Sequence, residues 1–483
     1  MKILQLPSAV LDRNSEFRGV PTRKLMENAG KQATRVILRK FGKPAKVQIF
    51  CGSGGNGGDG FVVGLELLRK KIPVEIILAG AVKNKDAQFY LKKLPKKLII
   101  KYSSATKIDG SLLVDALLGV GQRGKLRAPI TNLVAKLNLT PHFSGGTLPK
   151  VVSLDVPTGK LKPDLIIAFH TSKQSILNSP FRKGGKRGTN LEKTATHKKP
   201  GDFYREVVVP IGIPKSAEQF FGPGDVEFYF PRRGENSHKG ENGRVVIVGG
   251  SANYLGAPLF AGLGALAAGV DLVDVFVPGV NFAAARKFSP NFLIHKFKGN
   301  AEFLTIEAAR EILAFAREKN AAVVLGPGLG RNPETEKAVS FFAKNCRQPL
   351  VLDADALLPN LPKFISTQVV LTPHAAEFQR IPKKLNAVIL KKGRVDAIIS
   401  GERKRWNDTG NPILTVGGSG DTLAGLVGGL LARQVAAFEA AGIAAFLLGL
   451  AGERIALKSE STTPQALAKK IPQIIREILD GKI

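Results

Sequence analysis

The sequence predicts two α/β domains, and three observations support that class. The chain has 483 residues, which corresponds to two or three domains at about 100–200 residues each. Short apolar runs of strand length alternate with longer runs of helical periodicity, as in sheets that are covered by helices. Several strand-like runs end in glycine loops or aspartates, at the end where such sheets bind ligands.

In the first half, a buried strand is predicted at 46–51. It continues into the glycine-rich segment 52–60, which contains Asn56 and Asp59, and we place the next helix at 61–70. A strand, a glycine loop and a helix form the nucleotide-binding unit of a doubly wound sheet. The two polar side chains suit a cation or ribose hydroxyls as well as turn formation.

Two further strand-like runs end in aspartates, Asp115 and Asp155. With the loop at 52–60, three strands thus carry oxygen ligands at their carboxyl ends, which favours a binding site over three unrelated helix caps. The remaining predicted strands of this half are 74–78, 165–169 and 207–213, and the basic, glycine-rich segment 179–202 is predicted to be a mobile surface loop.

The second half repeats the alternation of strands and helices. Strands are predicted at 244–248, 272–278, 322–325, 350–355, 369–374 and 387–390. The apolar run from Ala436 to Ala456 predicts a buried helix. A proline- and glycine-rich stretch from Pro214 to Pro231 predicts the domain boundary, giving domains 1–222 and 223–483.

The glycine run at 417–420 precedes a helical pattern and is followed by Asp421. Small residues let the backbone approach a ligand closely. Free N–H groups at a helix start bind anions, and phosphate is the commonest of these. We expect Asp421 in the first helical turn, with its carboxylate directed at whatever the glycines hold.

Composition restricts the classes of function. Hydrophobic residues make up 44% of the chain, and 71 Lys and Arg against 39 Asp and Glu give a net charge of +32. The basic clusters are not interleaved with aromatic residues, so nucleic acid is not the expected partner, and anionic small substrates suit the charge. Two cysteines and no recognisable signal or membrane span predict a cytoplasmic protein without membrane contact.

The first half resembles the epimerase domain of NAD(P)H-hydrate repair, with a Rossmann-like three-layer fold. The matching motifs are Met26-Glu27-Asn28-Ala29-Gly30, the run from Gly54 to Gly60, Val114 to Gly119, and Leu154 to Gly159. The resemblance implies a potassium ion on Asn56, Asp115 and Thr158, and Asp155 as the acid/base residue. It implies hydrate-binding residues Gly55, Asn56, Gly57, Gly58, Asp59, Gly119, Val120, Gly121, Gln122, Arg123, Gly124, Lys125 and Asp155. Gly55 stands where the family usually has a first Asn.

The second half resembles the ribokinase-like fold, and within it the NAD(P)H-hydrate dehydratase family. The motifs include His238-Lys239-Gly240, Gly256-Ala257-Pro258, the run from Gly326 to Gly330, Leu352 to Leu357, Leu371 to His374, and the glycine run with Asp421. The resemblance implies hydrate contacts from Ala257, Gly328, His374 and Asp421. It implies that Lys392, Gly393, Arg394, Val395, Asp396 and Gly420 hold the adenine nucleotide.

Together the resemblances imply a bifunctional enzyme. One half epimerises R and S hydrates of NAD(P)H, and the other dehydrates the S form at the expense of ADP or ATP, with Mg²⁺ and K⁺ as cofactors and Asp421 as catalytic base. The expected partners are the hydrates and the adenine nucleotide, in a homo-oligomer. The alternatives are a small-molecule kinase of the same fold, for a hydroxymethylpyrimidine, thiazole or sugar, and a basic nucleic-acid-binding protein with a decayed epimerase domain.

Overall fold

The computed structural model describes residues 6–121, 125–139, 149–172, 205–299, 302–364 and 366–483. These residues form two compact units that divide after Lys215. Each unit contains one sheet that is wholly or mainly parallel and is packed against helices, which confirms the two-domain α/β class. The predicted surface loop 179–202 lies outside the described residues.

The first unit is built on a parallel sheet. Its strands are β1 (Val47–Cys51), β2 (Val74–Leu78), β3 (Ile99–Lys101), β4 (Leu112–Ala116), β5 (Lys150–Leu154), β6 (Leu165–Phe169) and β7 (Glu206–Val209). Its helices are α1 (Ser8–Phe17), α2 (Thr22–Phe41), α3 (Gly55–Arg69), α4 (Lys85–Leu91) and α5 (Ile130–Asn138). The strand order β3-β2-β1-β4-β5-β6-β7 reverses between β1 and β4, which opens a ligand crevice at their carboxyl ends.

Helices cover both faces of this sheet, because successive residues of the central strand point to opposite sides. Ile49 packs on one face in a core that includes residues of α2 and α3. Phe50 packs on the other face with Leu133 and Val134 of α5. All five residues of β1 are buried, as expected of a central parallel strand. The predicted three-layer arrangement of the first domain is confirmed.

Helix α3 begins already at Gly55, so the predicted start at 61 was wrong. Glycine is a poor helix former, and its density therefore suggested a loop. Packing decides otherwise. A Cβ on Gly57 would lie 2.1 Å from the carbonyl oxygen of Gly52, and one on Gly52 would lie 1.8 Å from that of Leu117. These glycines let the start of α3 lie directly against the segments that follow β1 and β4.

The second unit has a larger, mixed sheet. A short helix, α6 (Lys215–Gln219), spans the division between the units. The strands are β8 (Arg244–Val248), β9 (Leu272–Val277), β10 (Phe292–Lys296), β11 (Ala322–Leu325), β12 (Leu350–Leu352), β13 (Val369–Leu371), β14 (Val388–Lys391), β15 (Asp396–Ser400) and β16 (Arg403–Asn407). The helices are α7 (Pro223–Tyr229), α8 (Gly256–Ala267), α9 (Phe282–Ala285), α10 (Ile306–Glu318), α11 (Pro333–Asn345), α12 (Ala375–Arg380), α13 (Ser419–Ala432), α14 (Ala437–Ala456) and α15 (Pro464–Leu479).

The strand order is β10-β9-β8-β11-β12-β13-β14-β15-β16, parallel as far as β14 and antiparallel beyond it. The six predicted strands of this half are confirmed, with shorter bounds for β12 and β13. Strands β10, β15 and β16 were missed because they are partly exposed and lack a continuous apolar run. Helix α14 is buried along most of its length, as predicted. None of the helices in the described ranges combines the length and apolar character that a membrane span needs.

Residues just after Lys215 pack in the second unit, although the sequence suggested a boundary after Gly222. The backbone N–H of Phe221 donates to the carbonyl of Trp406 at 2.9 Å. The guanidinium of Arg405 donates to the buried carboxylate of Asp225 and to the carbonyls of Glu218 and Phe220. Its carbon atom lies 4.1 Å from the ring centroid of Phe221. These contacts pin the segment against β16.

A fragment that begins at Ser216 is therefore expected to be more stable than one that begins at Pro223. The shorter fragment lacks Phe221, which is completely buried, and removing such a side chain costs about 3–5 kcal/mol. It also leaves Arg405 without two carbonyl acceptors. Chemical unfolding of the two fragments under one set of conditions measures the difference. If the unfolding curves of the two fragments have equal midpoints and slopes, residues 216–222 do not belong to the second unit.

Candidate active sites

The crevice of the first unit brings together the polar residues that follow β1, β4 and β5. The Asp115 carboxylate is buried and accepts four hydrogen bonds, from Ser153 Oγ, Leu117 N, and both N and Oγ1 of Thr158. Burial raises the pKa of this carboxyl, and the hydrogen bonds from Thr158 oppose that shift. The structure thus places Asp115 in direct contact with Thr158, two of the three residues expected to hold potassium.

Asn56, the third residue of that group, offers an unused oxygen. Its Nδ2 donates to the carbonyl of Leu154 at 3.3 Å, and its buried Oδ1 has no hydrogen-bond partner among the described residues. A buried polar atom without a partner is costly, which indicates a partner that a protein-only structure does not show. Amide, hydroxyl and carboxylate oxygens are the donors that a hard cation takes, so these residues fit K⁺.

Asp155 has a strained backbone, with φ of 64°. Residues held in the left-handed region without being glycine are concentrated at active sites. Its Oδ2 accepts a hydrogen bond from the backbone N–H of Val120 at 3.0 Å. Gly119 lies between Asp155 and Asn56, because a Cβ at that position would be 3.1 Å from the carboxylate oxygen and 3.6 Å from Asn56 Cβ.

A second carboxylate, Asp59 in α3, lies within electrostatic reach of Asp155. Burial raises the pKa of Asp59 well above its ordinary value, and the charges of Asp155 and of Asp12 in α1 raise it further. The crevice therefore combines a carboxyl group with a raised pKa and a second acidic group. Neither Asp12 nor this pairing was foreseen, because the sequence does not show that α1 packs near the glycine segment.

Part of the predicted hydrate-binding set cannot be placed. Gln122, Arg123 and Gly124 lie outside the described residues, whereas Gly121 and Lys125 border the gap. Gly55 lies at the start of α3, where a Cβ would meet no atom within 4 Å. The site therefore has room for the asparagine that the family usually carries there.

In the second unit, the glycine run sits at the start of α13, with Asp421 in the first turn as predicted. Gly418 precedes the helix with φ of 90° and has no side chain to cap it. A Cβ at Gly418 would lie 2.4 Å from the ring of Phe260, so only glycine fits. The uncapped first turn suits an anionic ligand, because its backbone N–H groups point out of the helix.

Glycines also place α13 against α8. A Cβ on Gly425 would lie 1.8 Å from the carbonyl oxygen of Ala261, and one on Gly264 would lie 2.0 Å from that of Thr422. The two helix backbones are thus in contact at successive turns. This packing brings the first turn of α13, with Asp421, to a fixed height above the sheet.

Residues after three neighbouring strands converge on that turn. Asp353 follows β12 and is buried, and its Oδ1 accepts hydrogen bonds from Thr372 Oγ1 at 2.6 Å and from Lys392 Nζ at 3.0 Å. Burial lowers the pKa of Lys392, but the charges of Asp353, Glu377 and Asp421 outweigh it, so the net shift is upward. The Lys392 ammonium lies 3.6 Å from the position that a Cβ on Gly420 would take.

Asp421 has an unusual carboxyl group. Burial, followed by the charge of Asp353, raises its pKa to about 7, while Lys392 lowers it and Asp355 raises it slightly. A pKa near the working pH is the property required of a general base.

His374 is the N-terminal capping residue of α12, which begins at Ala375, and it forms a reciprocal cap with Glu377. Its Nδ1 accepts from the backbone N–H of Ala376 at 3.2 Å, and its own N–H donates to Glu377 Oε2 at 2.8 Å. Because Nδ1 accepts, the proton of the neutral ring lies on Nε2. The imidazole thus has a structural role at the carboxyl end of β13, and about half of the side chain is exposed there.

The other predicted contacts lie at the same edge of the sheet. Ala257 is in the first turn of α8, and a Cβ on Gly328 would be 3.2 Å from that of Ala257. Gly393, Arg394 and Val395 form the turn between β14 and β15, which Asp396 closes by accepting from Gly393 N at 3.0 Å. Asp353 and Thr372 had no predicted role, although the aspartate after an apolar strand was a signal that could have identified the first.

These arrangements define the class of two-domain α/β proteins, with a candidate ligand site in each unit and one of the two sites at an uncapped helix start. Residues 245–473 match the model of the NAD(P)H-hydrate dehydratase family, and residues 22–174 match that of the YjeF-related protein N-terminus. The bifunctional NAD(P)H-hydrate repair enzyme Nnr of Archaeoglobus fulgidus is 37% identical over 96% of this chain and 97% of its own. The enzyme of the same name from Methanothermobacter thermautotrophicus is 37% identical over 92% of this chain and 89% of its own.

The chain therefore belongs to the family of bifunctional NAD(P)H-hydrate repair enzymes. Among solved structures, the ADP/ATP-dependent NAD(P)H-hydrate dehydratase of Bacillus subtilis matches 54% of this chain and 98% of its own, with 25% identity and a TM-score of 0.47. Membership over nearly the full length favours repair over the alternatives of a stand-alone kinase and of a nucleic-acid-binding protein.

The glycine contact between α8 and α13 gives a test of how this site is built. Gly425→Ala is expected to lower the free energy of unfolding by about 1–3 kcal/mol or more, since the new methyl group collides with backbone rather than with a flexible side chain. Gly417→Ala is the control, because a Cβ there meets no atom within 4 Å. Urea unfolding of both variants measures the difference in their free energies of unfolding. Equal free energies would contradict the close packing of α8 and α13.

Proposed function

We propose that this chain epimerises R and S hydrates of NAD(P)H in its first unit and dehydrates the S hydrate in its second, using ADP or ATP. The observation that carries the proposal is the carboxylate of Asp421, which has a pKa of about 7 and stands in the uncapped first turn of α13 beside Lys392. A base and a phosphate site thus meet at one helix terminus.

The dehydration follows from this geometry. Asp421 takes the proton of the ring hydroxyl, whose oxygen attacks the terminal phosphorus of the nucleotide as the bond to the departing nucleotide oxygen breaks. The helix N-terminus and Lys392 stabilise the charge on the transferred group. The bond between the ring carbon and the phosphorylated oxygen then breaks with help from the ring nitrogen, phosphate leaves with that oxygen, and loss of a proton from the adjacent ring carbon gives NAD(P)H. Hydroxide would not leave as easily as phosphate.

Nucleotide binding is assigned to residues at the carboxyl end of β14. Lys392, Gly393, Arg394, Val395 and Asp396 hold the adenine nucleotide together with Gly420, while Ala257, Gly328 and His374 contact the hydrate. In the described part of the chain, no three His, Cys, Asp or Glu side chains are grouped to hold a metal ion. Mg²⁺ therefore fits as an ion that arrives with the nucleotide phosphates and offsets their charge.

Epimerisation requires the C–O bond of the hydrate to break and to re-form on the other face of the ring. An acid must protonate the leaving hydroxyl, and a base must take a proton from the returning water. The raised pKa of Asp59 suits the acid, and Asp155 suits the base. Two carboxyl groups whose environments differ thus supply both functions within one crevice.

Potassium, when bound, supplies a positive charge between Asn56, Asp115 and Thr158. These residues hold the loop after β4 against the segment after β5. Hydrate binding is assigned to positions in the segments that follow β1 and β4, namely Gly55, Gly57, Gly58, Gly119, Val120, Gly121 and Lys125. A homo-oligomer in the cytoplasm completes the proposal.

Asp421→Asn is expected to reduce nucleotide-dependent dehydration of the S hydrate by about 10²–10⁴-fold, the usual contribution of a general base. In the unmutated protein, the rate should fall as pH drops through about 7, because the base becomes protonated. The rate at which NADH absorbance appears measures both the loss of activity in the variant and the pH dependence of the unmutated protein. Asp480→Asn, which removes an exposed carboxylate after α15, is the control. Turnover within a few-fold of the unmutated rate would remove Asp421 from the role of base.

Asp155→Ala is expected to abolish use of the R hydrate above its spontaneous epimerisation while dehydration of the S hydrate continues. The reason is that the two reactions use different units. Pure epimers supplied separately with ATP and Mg²⁺ distinguish the steps, and Asp109→Ala, which removes an exposed carboxylate, is the matched control. If the variant consumes both epimers at the unmutated rates, the first unit is not the epimerase.

A further inference from the structure

Asp353 has no part in the chemistry proposed above, yet it lies at the centre of the second site. Its side chain is 3% exposed. One oxygen, Oδ1, accepts hydrogen bonds from both Thr372 Oγ1 and Lys392 Nζ. A buried carboxylate is stable only if it is hydrogen-bonded and paired with a cation, and Asp353 has both.

The pairing of Lys392 with Asp353 has a consequence for Asp421. The ammonium lies beside Gly420, the residue before Asp421, and its charge acts on that carboxylate. Nevertheless, its ion pair is with Asp353. Within the described residues, the Asp421 carboxylate has no hydrogen bond or ion pair in the structure, although the residue is partly buried. The cation that could neutralise it is thus held by another carboxylate.

We propose that Asp353 is a positioning residue for the dehydration: it binds the Lys392 ammonium and thereby leaves the Asp421 carboxylate available to accept a proton from the substrate. The inference rests on the proposed function of Asp421 as base. In this proposal, Asp353 acts through Lys392 and does not contact the substrate. It also explains why Lys392, which faces the transferred phosphate, does not form an ion pair with Asp421 and so prevent it from acting as a base.

The charges around Asp421 determine the direction of the effect. Asp353 and Asp355 raise its pKa, and Lys392 lowers it. A neutral residue at 353 removes one of the two negative charges and releases Lys392 to pair with Asp421. Both changes lower the pKa of Asp421, since a nearby positive charge favours the carboxylate. A carboxylate of lower pKa is a weaker base, so the rate of proton transfer falls with it.

Asp353→Asn tests the proposal because it keeps the shape of the side chain and removes its charge. With the S hydrate, ATP and Mg²⁺, the acid limb of the kcat/KM profile is expected to move to lower pH by about 1 unit or more. The maximal kcat should fall, while KM for the nucleotide changes by no more than a few-fold. An acid limb that stays where it is in the unmutated protein would overturn the proposal.

Thr372→Val is the matched control. It removes the other hydrogen bond to Asp353 Oδ1 and leaves every charge in place, so the acid limb should not move. If this variant moves the limb as far as Asp353→Asn does, the effect comes from packing and the proposal fails. Asp353→Glu, which keeps the charge, should restore the position of the limb at least in part.

A measurement without substrate separates this inference from the proposed function. Thermal unfolding across the pH range is recorded for Asp421→Asn in the unmutated and in the Asp353→Asn backgrounds. The stabilisation that Asp421→Asn gives at alkaline pH should be smaller in the second background, because Asp421 there has a lower pKa. Equal stabilisation in both would refute the role of Asp353. Absence of dehydration by the unmutated protein would instead refute the proposed function alone.

Discussion

The contact between the backbones of α8 and α13 is the constraint on which the second site depends. Two helices can approach this closely only where residues lack a Cβ, as Gly264 and Gly425 do. Their packing fixes where α13 begins, and therefore where its unpaired N–H groups and Asp421 stand relative to the ends of β12 and β14. The first unit uses the same device, since Gly52 and Gly57 bring α3 against the backbone at the ends of β1 and β4.

The sequence was most informative where strands are buried on both faces. Apart from Arg244 at its start, the run 244–248 is apolar, as is 322–325, and both runs have the observed bounds, because a central parallel strand has no solvent side. It was least informative at the edge strand β10 and at β15, next to the other edge, where most residues are partly exposed. It also failed for the start of α3, because the tertiary requirement for close packing outweighs the low helix propensity of glycine.

The same contrast applies to the sites. Aspartates at strand ends and glycines at helix starts could be identified from pattern, because topology places both at one edge of the sheet. Partners could not. The hydrogen bonds of Asp353 with Thr372 and Lys392 join residues that follow three separate strands, and the effect of Asp12 on Asp59 joins two helices. Such pairings depend on side-chain directions that spacing along the chain does not specify.

The pKa of Asp421 shows what the second site costs the fold. Its value in the folded protein, about 7, lies above the ordinary value of 3.8, so between these values the folded state binds more protons than the unfolded chain. The free energy of unfolding must therefore decrease as pH rises through this range, and it stays lower at higher pH. A carboxylate satisfied by hydrogen bonds would avoid that loss, but it would hold its electron pairs away from the substrate. The absence of a partner for the Asp421 carboxylate thus lowers the stability of the fold at the pH where a base is required. The close packing of α13 on α8 supplies the rigidity that keeps this carboxylate in place.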